Sequence, residues 1–356
     1  MARRAATGAR ATIVDVARAA GVSRQTVSNA LNNPEKLAPG TLERVQREID
    51  RLGFTLNVTA QQLRRRQASA YGFEVNSSGA ARMGHVLDEF LVELTAAAPV
   101  HDSHLVVFAP EPDDVIGAYR HMLGTGLVDG FILADTRPGD PRPRWLLEHG
   151  VPFVAFGRIW DSPELTQWVD VDGRAGVRRA VSHLVDAGYR QIAFLGWPSG
   201  SAVGDDRREG WLEGLRAAGL TDTAIVEESV QDLDEATSAA DRILDGLSTG
   251  GAVVCASDLL ALGVMRSARN HGLEPGPDLG VVGFDDTDVA EALQLTSVRQ
   301  PLQRAAESAW TLLKAVTEEP PGPVLLTPTL TIRSTTTPAR LTNGPRTDHT
   351  QMEGTP

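Results

Sequence analysis

The sequence predicts an all-α helix-turn-helix head followed by an α/β body of two doubly wound lobes. The chain has 356 residues, which is more than one domain usually contains. Apolar residues recur at helical spacing near the N-terminus, as in a small helical domain. From residue 70 onward, short apolar runs alternate with amphipathic stretches. That alternation is typical of a parallel sheet covered by helices on both faces, and this part of the chain is long enough for two such sheets.

Two short helices joined by a tight turn are predicted for TIVDVARAAGVSRQTVSNAL, residues 12–31. Thr12 can cap the first helix with Asp15 as its partner, and Gly21 permits the turn. Ser23 can cap the second helix, and Val27 lies on the buried face of that helix. A third amphipathic stretch over 41–52 completes one small core.

The polar face of the second helix carries side chains that hydrogen-bond base edges in a DNA major groove. We therefore expect DNA contacts in the head from Thr12, Ser23, Arg24, Gln25, Thr26, Ser28 and Asn29. The alternative is an amphipathic helix pair that only packs. Charge favours DNA binding, because residues 1–66 hold 12 Arg or Lys against 5 Asp or Glu, although the whole chain has a net charge of −12.

The stretch NVTAQQLRRR, residues 57–66, favours helix but is shorter than the about 12–15 residues at which an isolated helix becomes marginal. We expect a hinge that folds only against a DNA minor groove, with Leu63 wedged between base steps and the arginines on phosphates. Its predicted contacts are Asn57, Thr59, Ala60, Gln61, Leu63 and Arg64. An ordinary charged linker is the alternative.

The body contains two series of apolar runs that predict strands. These runs lie at 71–75, 104–109, 130–134 and 152–157, and then at 191–197, 252–257 and 279–285. Helices are predicted between them, at 86–97, 177–187, 211–218 and 259–270. Because ligands of such folds bind outside the carboxyl ends of the strands, polar residues at those ends are candidates for a site.

Several classes of protein are disfavoured by the sequence. The single cysteine, Cys255, excludes an intrachain disulfide, and its apolar neighbours predict a buried strand residue. No apolar run approaches the about 20 residues of a membrane helix, and the N-terminus lacks an apolar signal-peptide core, so we expect a cytoplasmic protein with no membrane partner. Neither a catalytic set nor a metal-ligand cluster is recognisable, so no enzyme activity, metal or cofactor is predicted. Asp285 and Asp286 suit a shared acid–base role poorly, because neighbours on a strand point to opposite faces.

These parts, in this order, resemble the lac-repressor (LacI/GalR) family of transcription regulators from about residue 12 to residue 335. The head motif DVARAAGVSRQTVSNAL and the hinge NVTAQQL carry the resemblance most specifically. In the body, similar family landmarks are VDVDGRAGVRRAVSHLVDAGYRQIAFLG (169–196), RREGW (207–211), SDLLALGV (257–264), VVGFDD (281–286), LTSVRQP (295–301) and PTLTIRST (328–335). The resemblance implies a homodimer that reads a near-palindromic operator, with a body similar to periplasmic sugar-binding proteins.

The expected domains follow from these features and from the resemblance. Residues 1–56 form an N-terminal arm and the DNA-binding head, and residues 57–69 form the hinge helix and linker. Residues 70–335 form the effector-binding and dimerisation body, and the polar tail 336–356 is predicted to be disordered. In the body, the first lobe is expected at about 70–168 and 299–326, and the second lobe at about 169–298 and 327–335.

The resemblance also implies an effector that binds between the lobes, changes their relative angle and thereby changes operator affinity. Carried over by position, Arg207 would clamp the effector and Asp285 would accept hydrogen bonds from sugar hydroxyls. Asp258 is either a ligand contact or a helix N-cap. The other candidates are Ser257, Trp197, Arg158, Trp160 and Asp135. The alternative for Arg207 and Asp285 is a salt bridge that spans the cleft, and Asp286 is expected to cap the following turn.

The predicted function is therefore a repressor controlled by a mono- or oligosaccharide. The alternatives are a regulator that responds to a purine or another metabolite, and a solute receptor that does not bind DNA. Two departures from the family pattern matter. Asn29 stands where the family often has Arg, which predicts an altered half-site preference because Asn reads adenine and Arg reads guanine. The segment VNSSGAARMG after the first strand differs from the family pattern and leaves the first-lobe effector contacts open.

Overall fold

The structure is a computed structural model that describes residues 11–32, 34–52, 69–75, 85–111, 113–248, 250–315 and 322–337. The N-terminal arm and the predicted hinge contacts from Asn57 to Arg64 lie outside these residues. The chain divides into two compact units, residues 1–68 and 69–356, and each has its own core.

The head consists of three helices, α1 (Ile13–Ala20), α2 (Arg24–Asn32) and α3 (Pro39–Leu52). The predicted capping box of α1 is confirmed: the Asp15 carboxylate accepts a hydrogen bond from the Thr12 backbone N–H at 2.9 Å, and the Thr12 hydroxyl accepts from the Asp15 N–H. Gly21 follows with φ of 62°, a left-handed conformation that glycine adopts without strain. The buried side chains that unite the helices are Val16, Ala17, Ala20, Val27 and Val45.

The body alternates strands and helices, as predicted. The strands are β1 (Ala70–Glu74), β2 (His104–Phe108), β3 (Gly130–Leu133), β4 (Phe153–Phe156), β5 (Trp168–Val171), β6 (Ile192–Gly196), β7 (Val226–Glu228), β8 (Ala252–Cys255), β9 (Gly280–Asp285), β10 (Thr296–Arg299), β11 (Val324–Leu326) and β12 (Thr329–Thr331). The helices are α4 (His85–Ala97), α5 (Val115–Gly124), α6 (Pro141–Glu148), α7 (Gly173–Asp186), α8 (Ala202–Ala218), α9 (Leu233–Gly246), α10 (Asp258–Asn270), α11 (Asp288–Ala292) and α12 (Leu302–Lys314).

Within the described residues, the strands form two six-stranded sheets. The first sheet has the order β11-β5-β4-β3-β1-β2 and is parallel throughout. The second has the order β12-β10-β9-β8-β6-β7, in which only β12 runs antiparallel to its neighbour. Each sheet packs its apolar side chains against its own helices, and Cys255 is fully buried in the core of the second sheet, as predicted.

The first crossing between the lobes differs from the expected position. The sequence predicts this boundary at about residue 168, but residues 168–171 form β5, which pairs with β4 and β11 in the first sheet. Its sequence, WVDV, is short and carries an aspartate, so it lacks the continuous apolar run that identified the other strands. The chain returns from the second lobe to the first between β10 and α12, and it passes to the second lobe again between β11 and β12.

The start of the predicted tail is also corrected. The sequence predicts that Thr336 begins a disordered segment, but Thr336 is buried, and its Oγ1 lies 2.9 Å from Thr296 Oγ1 and 2.8 Å from His183 Nε2. These contacts attach the end of the described chain to the second lobe. The rest of the predicted tail from residue 338 lies outside the described residues. Among the helices that the structure describes, none combines the length and apolar character that crossing a bilayer requires.

Candidate functional site

In the head, the polar face of α2 is arranged as the sequence predicts. The Ser23 hydroxyl accepts a hydrogen bond from the Thr26 N–H at 3.1 Å and so caps the helix. Arg24 and Gln25 are exposed on this first turn, and Gln25 Nε2 donates to Asn29 Oδ1 at 3.2 Å. The side chains that we expect to read bases therefore share one accessible face, opposite the buried Val27.

In the second lobe, the candidate side chains collect at the carboxyl ends of the parallel strands. Trp197 follows β6, Ser257 follows β8, and Asp285 is the last residue of β9. Arg207 reaches the same place from α8. The helix was predicted to begin at 211, but it begins at 202, because Ser201 caps it and the polar run that follows has no helical apolar periodicity to reveal it.

Arg207 is the central cation of this group and is only 6% exposed. Its guanidinium carbon lies 3.6 Å from the ring centre of Phe284 and 5.1 Å from that of Trp197, so the cation rests on two aromatic faces. Nη1 donates to the Ala256 carbonyl and lies 3.9 Å from Asp285 Oδ1. Among the described residues, Nε is buried and has no hydrogen-bond partner. One donor of the guanidinium is therefore unused.

Asp285 is held in an unfavourable environment for a carboxylate. Burial raises its pKa to about 7, although the positive charge of Arg207 and a hydrogen bond from Gln300 act in the opposite direction. Gln300 Nε2 donates to Oδ1 at 2.8 Å, and the backbone of Asp285 has φ of 113°, which is strained for a residue other than glycine. Because Arg207 and Asp285 both belong to the second lobe, the alternative of a salt bridge spanning the cleft is wrong for this pair.

Ser257 and Asp258 are both buried but have structural partners. Ser257, not Asp258, is the N-cap of α10, and its hydroxyl also donates to Gln231 Oε1 at 3.0 Å. The same oxygen accepts from Trp197 Nε1 at 2.7 Å. Asp258 accepts from the Thr287 N–H at 2.8 Å and from the Ser297 hydroxyl at 2.6 Å, so both of its oxygens are engaged within the lobe.

Asp286 does not cap the following turn as expected. Thr287 caps α11, whereas the fully buried Asp286 carboxylate accepts from Arg299 Nε and Arg333 Nη1, each at 2.6 Å. These hydrogen bonds lower the pKa of Asp286, although burial acts against them. Asp286 thus fixes the C-terminal segment to β9, and Asp285 alone of the two aspartates joins the group around Arg207.

In the first lobe, Arg158 follows β4 and joins this group across the lobe junction. Its Nε lies 3.0 Å from Asp170 Oδ2, and its Nη1 lies 3.3 Å from Asp206 Oδ1 on α8 of the second lobe. The guanidinium also lies over the Trp160 ring, 5.1 Å from its centre. Burial raises the pKa of Asp170 to about 6, while Arg158 opposes the shift.

Asp135 and Trp160 are less closely associated with the group. The Asp135 side chain is 66% exposed and pairs with Arg137 at 3.2 Å. Trp160 Nε1 is buried without a hydrogen-bond partner among the described residues, as is Gln167 Oε1.

Four residues of the junction were not predicted from the sequence: Asp170, Asp206, Gln231 and Gln300. Asp170 and Gln300 lie inside the landmark segments, so their strand-end positions were a usable signal, whereas Asp206 had none apart from its adjacency to Arg207.

The arrangement suits recognition of a polar ligand more than catalysis. The described residues contain no group of three or more His, Cys, Asp or Glu side chains suited to a metal ion. What the junction offers is a buried guanidinium, a carboxylate at a strand end, and the aromatic rings of Trp197 and Trp160. Such groups hydrogen-bond hydroxyls and stack on flat or apolar ligand surfaces.

Comparison with known families assigns both parts of the chain. Residues 12–57 match the family described as bacterial regulatory proteins, lacI family. Residues 181–336 match the periplasmic binding protein-like domain. Among curated proteins, the transcriptional regulator CelR of Thermobifida fusca is 33% identical over 326 residues, which covers 89% of this chain and 95% of that protein. The transcriptional repressor PurR of Vibrio atlanticus is 28% identical and covers 85% of this chain and 91% of its own length.

Solved structures agree with this assignment. A complex of the regulator CelR with cellobiose is 29% identical with a TM-score of 0.67, over 92% of this chain and all of that one. The lac repressor dimer bound to operator and an anti-inducer is 26% identical with a TM-score of 0.76, over the same shares. The helix-turn-helix head, the two parallel α/β lobes and the similarity along nearly the whole chain together establish that this protein belongs to the LacI family of DNA-binding transcriptional regulators, which is not an enzyme family.

Proposed function

We propose that this regulator is a homodimeric repressor whose operator affinity is controlled by an uncharged mono- or oligosaccharide held between its lobes. The observation that carries the proposal is the position of Arg207 and Asp285 at the carboxyl ends of the second-lobe strands, with Trp197 beside Arg207 and Trp160 beside Arg158. The guanidinium would donate to ring or hydroxyl oxygens, and Asp285 would accept from hydroxyl groups. We further propose that the protein acts in the cytoplasm, where an operator is accessible.

The charges at the junction favour an uncharged effector. Arg158 is already engaged by Asp170 and Asp206. Arg207 experiences the fields of Asp285, Asp170, Asp206 and Asp258. Because both guanidinium groups already have carboxylate partners, neither offers an unpaired positive charge to a phosphate or carboxylate on the ligand. Hydroxyl groups, in contrast, donate hydrogen bonds to carboxylates. The similarity to a regulator crystallised with cellobiose supports the same class of ligand.

For DNA, we propose that α2 enters the major groove of each operator half-site. Arg24, Gln25 and Asn29 would contact bases, and Ser23 at the helix N-terminus would contact phosphate. The hinge contacts from Asn57 to Arg64 remain part of the proposal. The lac repressor dimer bound to operator supports this mode of binding. Asn29→Arg should shift the preferred base at one half-site position from adenine toward guanine.

The experiment is operator binding by fluorescence anisotropy at fixed salt, with and without a ligand panel. The panel contains neutral sugars such as cellobiose, a sugar phosphate and purine bases. We expect a neutral sugar to change operator affinity by about 5- to 150-fold, the range typical of allosteric coupling. A response to a purine alone, or to the phosphate alone, would replace the proposed effector class.

A matched pair of variants tests the site itself. Arg207→Gln should abolish the response to the sugar while leaving operator binding without ligand. Arg208→Gln is the control. Arg208 is the next residue on α8, but its side chain is partly exposed and forms a loose ion pair with Glu228, at 3.9 Å. Equal loss of response in both variants would remove Arg207 from the effector site.

A further inference from the structure

We propose that Arg158 and Asp206 form a latch that holds the two lobes in the closed arrangement and thereby sets the affinity of the effector site. The pair joins a residue after β4 of the first lobe to α8 of the second lobe, with 3.3 Å between Nη1 and Oδ1. The proposed latch is distinct from the effector contacts, although its effect on sugar affinity depends on the proposed function.

Each half of the latch is anchored in its own lobe. Arg158 is held by Asp170 at 3.0 Å and by the face of Trp160. Asp206 is held through its other oxygen, Oδ2, which accepts from the Arg174 N–H at 3.2 Å in the first turn of α7. The positive end of that helix favours a carboxylate at this position. Both side chains are therefore oriented before the lobes meet.

This anchoring makes the contact reversible. A buried ion pair is costly to break when one partner is left with an uncompensated charge. When the lobes separate here, Arg158 keeps Asp170 and Asp206 keeps the Arg174 N–H, so neither charge is left alone. The side chains are 24% and 12% exposed, so water reaches them only in part and the attraction is stronger than at an open surface. Such a contact can bias an equilibrium between two lobe positions without locking it.

The latch lies directly beside the effector clamp. Asp206 and Arg207 are consecutive residues of α8, and consecutive side chains on a helix point about 100° apart. Asp206 therefore faces the first lobe, while Arg207 lies against Phe284 and Asp285 within the second. Because one helix carries both, any movement of α8 that admits a ligand at Arg207 also changes the distance from Asp206 to Arg158.

The test measures lobe separation without any effector. Spin labels are attached in a Cys255→Ala background at Leu147→Cys in the first lobe and Val230→Cys in the second, two residues that are about half exposed. Pulsed electron resonance then gives the distance distribution between the labels in the full-length protein. We expect Asp206→Asn and Arg158→Gln each to shift the distribution toward longer distances. The double variant should move it no further than either single change, because the two residues act as one unit.

Asp205→Asn is the matched control. Asp205 neighbours Asp206 on α8, but its carboxylate accepts from the Gly200 N–H within the same lobe. This variant should keep the original distribution, and Arg158→Lys should keep part of it, because the positive charge remains. An unchanged distribution in Asp206→Asn, or the same shift in Asp205→Asn, would overturn the latch.

Sugar affinity gives a second and separable readout. We expect Asp206→Asn to weaken sugar binding about tenfold by isothermal titration calorimetry, because the effector must then supply the closing free energy itself. If the distances shift but no neutral sugar binds the parent protein, the latch stands and the proposed effector is wrong. If a sugar binds and the distances do not move, the proposed function stands and the latch is wrong.

Discussion

The two halves of the lobe junction are built differently. The second lobe presents Arg207 and Asp285 already positioned by Phe284, the Ala256 carbonyl and Gln300. The first lobe presents a partly exposed Arg158, an exposed Asp135 and two buried polar atoms without partners among the described residues, Trp160 Nε1 and Gln167 Oε1. A preorganised half contributes binding free energy with little loss of side-chain freedom, whereas an exposed side chain such as Asp135 loses freedom when a ligand orders it.

This difference predicts that the largest loss of effector affinity follows changes in the second lobe. Arg207→Gln should weaken sugar binding about 30-fold or more, the effect of truncating one partner of a buried charge pair. Arg158→Gln in the first lobe should weaken it about tenfold, through the latch alone. Titration calorimetry on both variants measures the ratio. Equal losses would show that the two halves contribute alike.

The buried carboxyl group of Asp285 predicts a pH dependence of stability. Because burial raises the pKa of Asp285 from 3.8 to about 7, the folded state binds a proton at this carboxyl group more tightly than the unfolded state does. The free energy of unfolding that comes from this proton is therefore lost as pH rises from 3.8 through about 7. Asp285→Asn has no ionisable group at this position, so its free energy of unfolding does not fall with pH for this reason. The melting temperature of the variant relative to the parent protein should therefore increase by about 5 °C between pH 5 and pH 8 in scanning calorimetry. A flat difference for Asp285→Asn would contradict the buried environment of this carboxyl group.

A smaller effect is expected where α7 begins. A Cβ at Gly173 would lie 3.2 Å from Arg207 Cγ and 3.4 Å from Nε, so Gly173→Ala should displace the guanidinium by a few tenths of an ångström. We expect sugar binding to weaken about threefold by calorimetry, although alanine is the better helix former and should not lower the melting temperature. Gly124→Ala in α5, where nothing lies within 4 Å of the added atom, is the control. Unchanged sugar affinity would mean that Arg207 tolerates this shift.

The smallest effect is predicted at the first-lobe strand end. Asp135→Asn should change sugar affinity less than about twofold, because its pair with Arg137 is solvent-exposed and such pairs contribute little. Asparagine also tolerates the left-handed backbone at this position, where φ is 51°. A tenfold loss in calorimetry would instead place Asp135 on the bound sugar and make the first lobe the equal partner.

Local chemistry explains how much the sequence revealed. The caps at Thr12 and Ser23, the turn at Gly21 and the position of Asp285 at the end of β9 all depend on residues close in the chain, and all were predicted. The parallel sheets followed from their long apolar runs. β5, β7, β10, β11 and β12 were missed as strands because they are short or polar, and only pairing with neighbouring strands stabilises them.

The amino-acid sequence by itself determined the elements, the recognition face of α2 and the residue types that gather at the strand ends. The tertiary structure alone decided which of those residues meet. Arg207 pairs within its own lobe, Asp286 fixes the C-terminal segment, and the contact across the junction belongs to Arg158 and Asp206. These partners lie far apart in the chain, and an ion pair depends on distance and burial, which become defined only when the sheets and helices have packed.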